Sequence, residues 1–173
     1  MDAPQVTYMP TPDGWVNPLR SDDMEAQERK DYREAVDVFG GLLHGRKWSL
    51  EPQPMLSTYD GYLSVSGKNF LVEWKDREQS RHYGTYPLLK SKYNRLMDAE
   101  KRTGADGVLY LVLNGGLFTL YRLDRVNLDE CIVRPWNIKK YELSDDEHRE
   151  PQLTIFLPFT LASCEGNYNV VAN

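Results

Sequence analysis

The sequence has few of the features that mark secreted, membrane or zinc-binding proteins. Only two cysteines occur among its 173 residues, Cys131 and Cys164, and their spacing matches neither a disulfide framework nor a zinc site. The longest apolar runs, such as Val108–Leu113, are far shorter than the roughly 20 residues that a membrane-spanning helix requires. No basic segment followed by an apolar one opens the chain, so no signal peptide is predicted. We therefore expect an intracellular protein, in the cytoplasm or nucleoid or of viral origin, that does not bind membranes.

Signatures of nucleophilic catalysis and of phosphate-binding loops are also lacking. There is no Gly-x-Ser-x-Gly motif, and neither cysteine has a histidine near it in the sequence. His44, His82 and His148 are scattered without metal-ligand spacing. Gly115-Gly116 is followed by neither Lys-Ser/Thr nor a predicted helix, so it indicates a turn and not a phosphate loop.

The remaining composition is typical of one soluble globular domain. The chain is 40% apolar, 12% aromatic and 27% charged, and it contains 11 Tyr and 4 Trp. Its net charge is −5, yet residues 68–102 hold nine Lys or Arg against five acidic residues. A basic segment in an acidic chain is typical either of a phosphate-binding surface or of a solvated helix face. Charge alone favours the solvated face.

The first half of the chain predicts an arm, a helix and a hairpin. Residues 1–20 contain four prolines and no periodicity, which predicts an extended N-terminal arm. Ser21 is expected to cap a helix with an acidic first turn and apolar residues at helical spacing. Tyr59–Ser66 and Phe70–Trp74 have strand character and are joined across a short glycine-containing connection, which predicts a hairpin.

The segment after the hairpin predicts a second helix and two more strands. Leucine and tyrosine spacing indicates a helix from about Thr85 to Thr103, with Pro87 in its first turn. Val108–Leu113 predicts a strand buried on both faces, and Leu117–Leu123 the strand paired with it. The order helix, strand, strand, helix, strand, strand predicts an α/β fold with a mixed sheet flanked by helices.

Residues 124–173 form a predicted C-terminal extension to a core at residues 21–123. Ile132–Trp136 and Leu153–Leu161 are candidate strands, and Pro158 is expected to place the second of them at a sheet edge or to bulge it. The extension is a candidate region for dimer or DNA contacts.

Three polar side chains are predicted to converge on this hairpin. Residues two apart in a strand point to the same face, so Glu73 and Lys75 project together while Val72 and Trp74 point away. Asp60 lies at the start of the first strand, and the hairpin brings it near the end of the second. Two carboxylates suit a hard divalent cation, and a neighbouring ammonium neutralises charge that develops on phosphate. The backbone carbonyl of Trp74 is a further candidate ligand.

This pattern resembles the active-site signature of the PD-(D/E)XK nuclease superfamily, which includes restriction endonucleases and Holliday-junction resolvases. The resemblance rests on Asp60, twelve intervening residues and Glu73-Trp74-Lys75, and on the order of elements over Ser21–Leu123. Tyr59 stands where the family has proline. Gln79 and Tyr83 have the spacing of the exonuclease branch but lie too close to Lys75, so the resemblance favours the endonuclease branches.

The resemblance implies a DNA endonuclease that uses Mg²⁺, with Mn²⁺ as a substitute. By the family pattern, Asp60 and Glu73 are metal ligands and Lys75 is the catalytic lysine. A further acid from the first helix is expected at the site, and the candidates are Glu28, Asp31 and Glu34, with Glu34 nearest the core-facing side. Because two DNA strands must usually be cut, a homodimer is expected.

Phosphate contacts are expected from five basic residues around the site. They are Arg77, Arg81, Lys90, Lys92 and Arg95. Two other interpretations stay open. One is a catalytically inactive nuclease-like module that binds DNA or a protein, and the other is a nuclease that acts on RNA. In a purely structural interpretation, Glu73 and Lys75 form an exposed ion pair and Asp60 is a turn residue.

Overall fold

The computed structural model describes residues 22–54, 57–76, 84–136 and 151–171, which form two α-helices and nine strands in two sheets. Neither of these helices is apolar over a stretch long enough to cross a membrane. The elements are α1 Asp22–Leu42, β1 Trp48–Pro52, β2 Gly61–Val65, β3 Lys68–Asp76, β4 Thr85–Leu89, α2 Lys90–Thr103, β5 Gly107–Asn114, β6 Leu117–Arg122, β7 Ile132–Trp136, β8 Gln152–Pro158 and β9 Cys164–Asn167.

The larger sheet is mixed and has the strand order β1-β2-β3-β5-β6-β9. Only β3 and β5 pair in parallel within it, and the chain reaches β5 from β3 by way of β4 and α2. A parallel neighbour requires such a crossover, because a two-residue turn reverses the chain direction. The predicted α/β fold class with a mixed sheet flanked by helices is confirmed.

The predicted hairpin is formed by β2 and β3. Ser66 and Gly67 connect the strands with φ angles of 50° and 81°. Positive φ at both central residues is characteristic of a type I′ turn, whose twist matches that of the two antiparallel strands. In the resulting register Gly61 lies opposite Val72, so Asp60 stands next to the second half of β3.

Each face of the larger sheet carries its own apolar core. On one face α1 packs through residues such as Tyr32 and Phe39 against Val72 and Trp74. On the other face α2 and the second sheet cover Leu71 and its neighbours. Strand β5 is buried along almost its whole length because it contributes side chains to both cores, as its continuous apolar run predicts.

The predicted start of the second helix is wrong. Residues Thr85–Leu89 form strand β4, which pairs with β8, and the helix begins at Lys90. Tyr86 and Leu88 alternate into the core, as one face of a strand does, and Pro87 restricts the residue before it to extended conformations. The helical spacing of the leucines favoured a helix in the sequence analysis. The partner strand that stabilises β4 lies about 70 residues later in the chain and could not be identified from the local pattern.

The C-terminal part belongs to both sheets. Ile132–Trp136 is a strand, as predicted, and β9 extends the larger sheet. Strand β8 lies between β4 and β7, so the predicted edge position is wrong. Pro158 is tolerated because it is the last residue of this strand. The predicted N-terminal arm and the Ser21 cap lie outside the described residues.

Candidate active site

Asp60 is held by three hydrogen bonds to the backbone where β2 and β3 separate. Its amide donates to the carbonyl of Val72 at 2.9 Å, and its carbonyl accepts from the amide of Gln53 at 2.8 Å. Its side-chain Oδ2 accepts from the amide of Trp74 at 2.9 Å. The carboxylate therefore accepts the hydrogen bond from β3 that the backbone of a further β2 residue would otherwise accept. This bond fixes the position of the carboxylate relative to β3.

Glu73 is buried in the middle of β3, with 1% of its surface exposed. It points to the face of the sheet that carries Leu71 and α2, opposite the face of Val72 and Trp74. This is the alternation that the sequence predicts. A glutamate is rarely buried to this extent unless charged or polar groups compensate for its desolvation.

Two ammonium groups face Glu73. Lys75 Nζ lies 3.9 Å from Glu73 Oε1, and its side chain is 40% exposed. Lys92 Nζ, from the first turn of α2, lies 3.0 Å from Glu73 Oε2 and is more deeply buried. The structure thus brings together Asp60, Glu73 and Lys75, and it adds Lys92 to the group.

The electrostatics of the group are dominated by desolvation. Burial raises the pKa of Glu73 to about 8, and the negative charge of Asp60 acts in the same direction. The ammoniums of Lys75 and Lys92 lower this pKa but do not offset the burial. Burial and Asp60 thus disfavour the charged form of Glu73, and a cation bound at this site would favour it.

The oxygen atoms present fit a hard divalent cation. Glu73 Oε2 is buried and accepts no hydrogen bond of good geometry, although Lys92 Nζ is close to it. The N–H and C=O of one strand residue point to the same side, so the carbonyl of Trp74 points, like its amide, towards Asp60. Mg²⁺ needs only one or two carboxylates because it keeps several waters. Within the described ranges no group of three or more His, Cys, Asp or Glu side chains is placed to hold a metal.

The acid expected from the first helix is not brought to this group. Glu34 is 1% exposed and lies 3.9 Å from Lys30 Nζ, and its Oε1 accepts from the amide of Val171 at 3.2 Å. Burial raises the pKa of Glu34, and the negative charge of Asp76 on β3 raises it further. Asp76 lies on the face of β3 opposite to that of Glu73. Asp31 also interacts with Asp76. Asp31 and Glu34 therefore lie on the side of the other core, and Glu28 is exposed.

The basic residues expected to contact DNA have different surroundings. Arg95 is exposed on α2, and Lys90 lies with its Nζ 4.8 Å from the ring centre of Tyr93. Lys92 points instead towards Glu73. Arg77 and Arg81 lie outside the described residues.

Comparison with known proteins finds a similar fold among the solved structures. No protein-family model matches the chain, and no curated protein matches it. The fold is similar to that of Hjc from Archaeoglobus fulgidus, a Holliday junction resolvase from an archaeal hyperthermophile. The match has a TM-score of 0.43 and 12% sequence identity, and it covers 72% of this chain and 87% of that chain. The likeness concerns the fold alone.

Sequence reasoning missed the contact between Lys92 and Glu73. A lysine in the first turn of a helix is unfavourable, because the positive end of the helix dipole lies there. The first turn of α2 contains no acidic residue and its N-cap makes no side-chain hydrogen bond. This unusual start was the available signal that Lys92 has a carboxylate partner elsewhere in the fold.

Proposed function

We propose that this protein is an endonuclease that hydrolyses DNA phosphodiester bonds with Mg²⁺, or with Mn²⁺ in its place. The observation that carries the proposal is the convergence of Asp60, Glu73 and Lys75 where β2 and β3 separate. A buried carboxylate with a raised pKa beside a second carboxylate and a partly exposed lysine is typical of catalytic sites. The sequence pattern of these residues resembles a nuclease signature.

The two carboxylates and the lysine would have different tasks. Asp60, Glu73 and the carbonyl of Trp74 would hold the cation, which polarises the phosphoryl group and lowers the pKa of water. The three hydrogen bonds between Asp60 and the backbone keep its carboxylate in place, so little reorganisation is needed. Lys75, which reaches solvent, would orient the attacking water or neutralise charge on the phosphate.

DNA binding would use basic residues that follow Lys75 in the sequence. Lys90 and Arg95 of α2, together with Arg77 and Arg81, are proposed to contact phosphates. A homodimer would place two such sites on the two strands of a duplex. Sedimentation velocity of the full chain with and without DNA measures the oligomeric state, and a monomer in both conditions contradicts this part.

The direct test compares the wild type with Lys75→Met on supercoiled DNA in Mg²⁺. Loss of one group that stabilises developing charge is expected to lower the cleavage rate about 100- to 1,000-fold. Lys101→Met, an exposed lysine at the other end of α2, is the matched control and is expected to cleave like the wild type. Equal cutting by Lys75→Met and wild type overturns the assignment.

The substrate is addressed by parallel digestion of matched nucleic acids. Linear, nicked and four-way DNA of the same sequence separate selection by structure from selection by sequence. A matched RNA tests the ribonuclease interpretation. We expect cleavage of DNA and not of RNA.

A second candidate function is a nuclease-like module that binds nucleic acid or protein without cutting. It is favoured by one observation: the part of the chain that the structure describes has no third acid at the Asp60–Glu73 pair. Calorimetric titration with Mn²⁺ separates the two functions. An endonuclease is expected to bind Mn²⁺ in a manner abolished by Glu73→Gln, whereas an inactive module shows no binding that depends on Glu73.

A further inference from the structure

Lys92 makes two contacts that a phosphate-binding lysine would not need. Its Nζ lies 3.0 Å from Glu73 Oε2, and it donates a hydrogen bond of 2.6 Å to the carbonyl of Thr58. These partners belong to β3 and to the turn before β2. One ammonium group therefore connects three segments: α2, β3 and the turn.

The contact with Thr58 acts on Asp60, which follows two residues later. Asp60 has three backbone hydrogen bonds of its own, and the bond from Lys92 to Thr58 adds a restraint on the turn that leads into it. On the other side, the ion pair with Lys92 restrains the buried Glu73 side chain. The two carboxylates are thus tied to one group.

We propose that Lys92 is a positioning residue, whose ammonium ties Glu73 to the Thr58 turn and so sets the spacing of the two carboxylates. This inference deepens the nuclease function proposed above and rests on it for its catalytic consequence. It assigns to Lys92 a task within the protein in place of a direct contact with DNA phosphate. Its burial supports this task, because its side chain is 21% exposed.

The position of Lys92 in the first turn of α2 has a physical explanation that agrees with this proposal. A cation in the first turn of α2 is opposed by the helix dipole, and a carboxylate at 3.0 Å offsets this cost. Lysine is also suited to the two partners, because its ammonium has three donors on a flexible stem. The unfavourable position of Lys92 is therefore explained by Glu73 and Thr58 together.

The first experiment separates positioning from phosphate contact. DNA affinity is measured in EDTA over a range of salt, and the single-turnover cleavage rate is measured at saturating DNA in Mg²⁺. For Lys92→Met we expect wild-type affinity and salt dependence with a rate about 10- to 100-fold lower, the usual effect of removing a group that orients a ligand. Lys92→Arg, which keeps the charge, is expected to recover part of the rate.

Two comparison variants define the alternatives. Arg95→Met, a proposed phosphate contact, is expected to weaken DNA binding and to reduce the slope of log affinity against log salt by about 1. Lys101→Met is expected to change neither measurement. If Lys92→Met behaves like Arg95→Met and keeps the wild-type rate at saturation, Lys92 is a phosphate contact and the proposal is overturned.

The second experiment does not depend on activity. Hydrogen exchange of the Trp74 amide, which donates to Asp60, reports on the turn, and the Leu111 amide in the centre of β5 reports on global stability. In Lys92→Met we expect exchange at Trp74 to accelerate at least about 10-fold more than exchange at Leu111. Unchanged exchange at Trp74 overturns the positioning role. If the wild type cuts no DNA, the nuclease function fails while this result still decides the role of Lys92.

Discussion

At the scale of single residues, burial decides how the ionisable groups behave. Glu73 and Glu34 are both 1% exposed, and burial raises the pKa of each. They differ in their partners. Glu73 faces two ammoniums and a second carboxylate, whereas Glu34 accepts a backbone amide and lies near one lysine. The same residue type therefore serves a candidate catalytic site on one face and anchors the C-terminal segment on the other.

Asp31 gives a pH dependence of stability. Burial raises its pKa from the usual value of 3.8 to about 7, while a hydrogen bond from Gln27 lowers it. Between these pH values the folded protein binds more protons at Asp31 than the unfolded chain, so stability falls as pH rises from about 4 to 7. Urea unfolding at pH 5 and pH 8 measures this difference.

The variant Asp31→Asn is expected to flatten that profile and to be more stable than the wild type at pH 8. Asp98→Asn, on the exposed face of α2, is the control and is expected to keep the wild-type pH dependence. Equal profiles for Asp31→Asn and the wild type contradict the assignment.

Gly61 lies next to Asp60 and allows the close approach of an aromatic ring. A Cβ atom there would lie 2.6 Å from the Trp74 ring and 3.1 Å from a methyl group of Leu50. Because the ring is buried in the core, Gly61→Ala is expected to cost about 1–3 kcal/mol of stability. Gly41→Ala is the control, since nothing lies within 4 Å of the place that its methyl group would take and alanine favours a helix. Thermal unfolding distinguishes the two, and a neutral Gly61→Ala would contradict the packing argument.

At the scale of elements, the parallel pair β3 and β5 is fixed by polar contacts at its start. Asn69 and Asp106 exchange two hydrogen bonds of 2.8 Å and 2.7 Å, which set the register of the strands. Beside them, Asp124 binds Arg122 through two hydrogen bonds and accepts from the amide of Val108 at 3.1 Å. These contacts hold the strand that carries Glu73 at its place in the sheet.

Asp124→Asn is expected to lower the free energy of unfolding by about 1.5–3 kcal/mol, because it weakens hydrogen bonds to a charged partner. Asp129→Asn, an exposed acid five residues later, is expected to change it by less than about 0.5 kcal/mol. Denaturant unfolding of both variants provides the measurement. Equal values for the two variants would show that the Arg122–Asp124 pair contributes little.

At the scale of the whole molecule, the C-terminal segment closes the core under α1. The amide of Tyr168 donates to the carbonyl of Gly116 at 2.8 Å, and the amide of Asn169 donates to Asp37 Oδ2 at 2.8 Å. The Tyr168 side chain is buried in the core, where it also hydrogen-bonds to Glu34. Residues more than 130 positions apart in the sequence therefore stabilise one another.

Tyr168→Ala is expected to cost about 3 kcal/mol of stability, because it leaves a cavity beside α1 and removes a partner of Glu34. Val170→Ala is the control, since half of the Val170 side chain is exposed, and it is expected to change stability by less than about 0.5 kcal/mol. Chemical denaturation measures both. A loss below about 1 kcal/mol in Tyr168→Ala would contradict a structural role for this segment.

Local patterns in the sequence were enough for the hairpin, for β5 and for the shared face of Glu73 and Lys75. Each depends on neighbours in the chain: turn residues with positive φ, a continuous apolar run and the two-residue period of a strand. The placement of Asp60 beside β3 follows from the same hairpin. The fold class was predicted for this reason, although the predicted order of elements lacked strands β1 and β4.

Only the tertiary structure decided that residues 85–89 form a strand, that Lys92 faces Glu73 and that Glu34 faces the other core. The strand exists because β8 pairs with it, and a partner so distant in sequence leaves no local periodic signal. The directions of Lys92 and Glu34 depend on how each helix is rotated against the sheet. That rotation is set by packing in the two cores, which the order of residues within one helix does not specify.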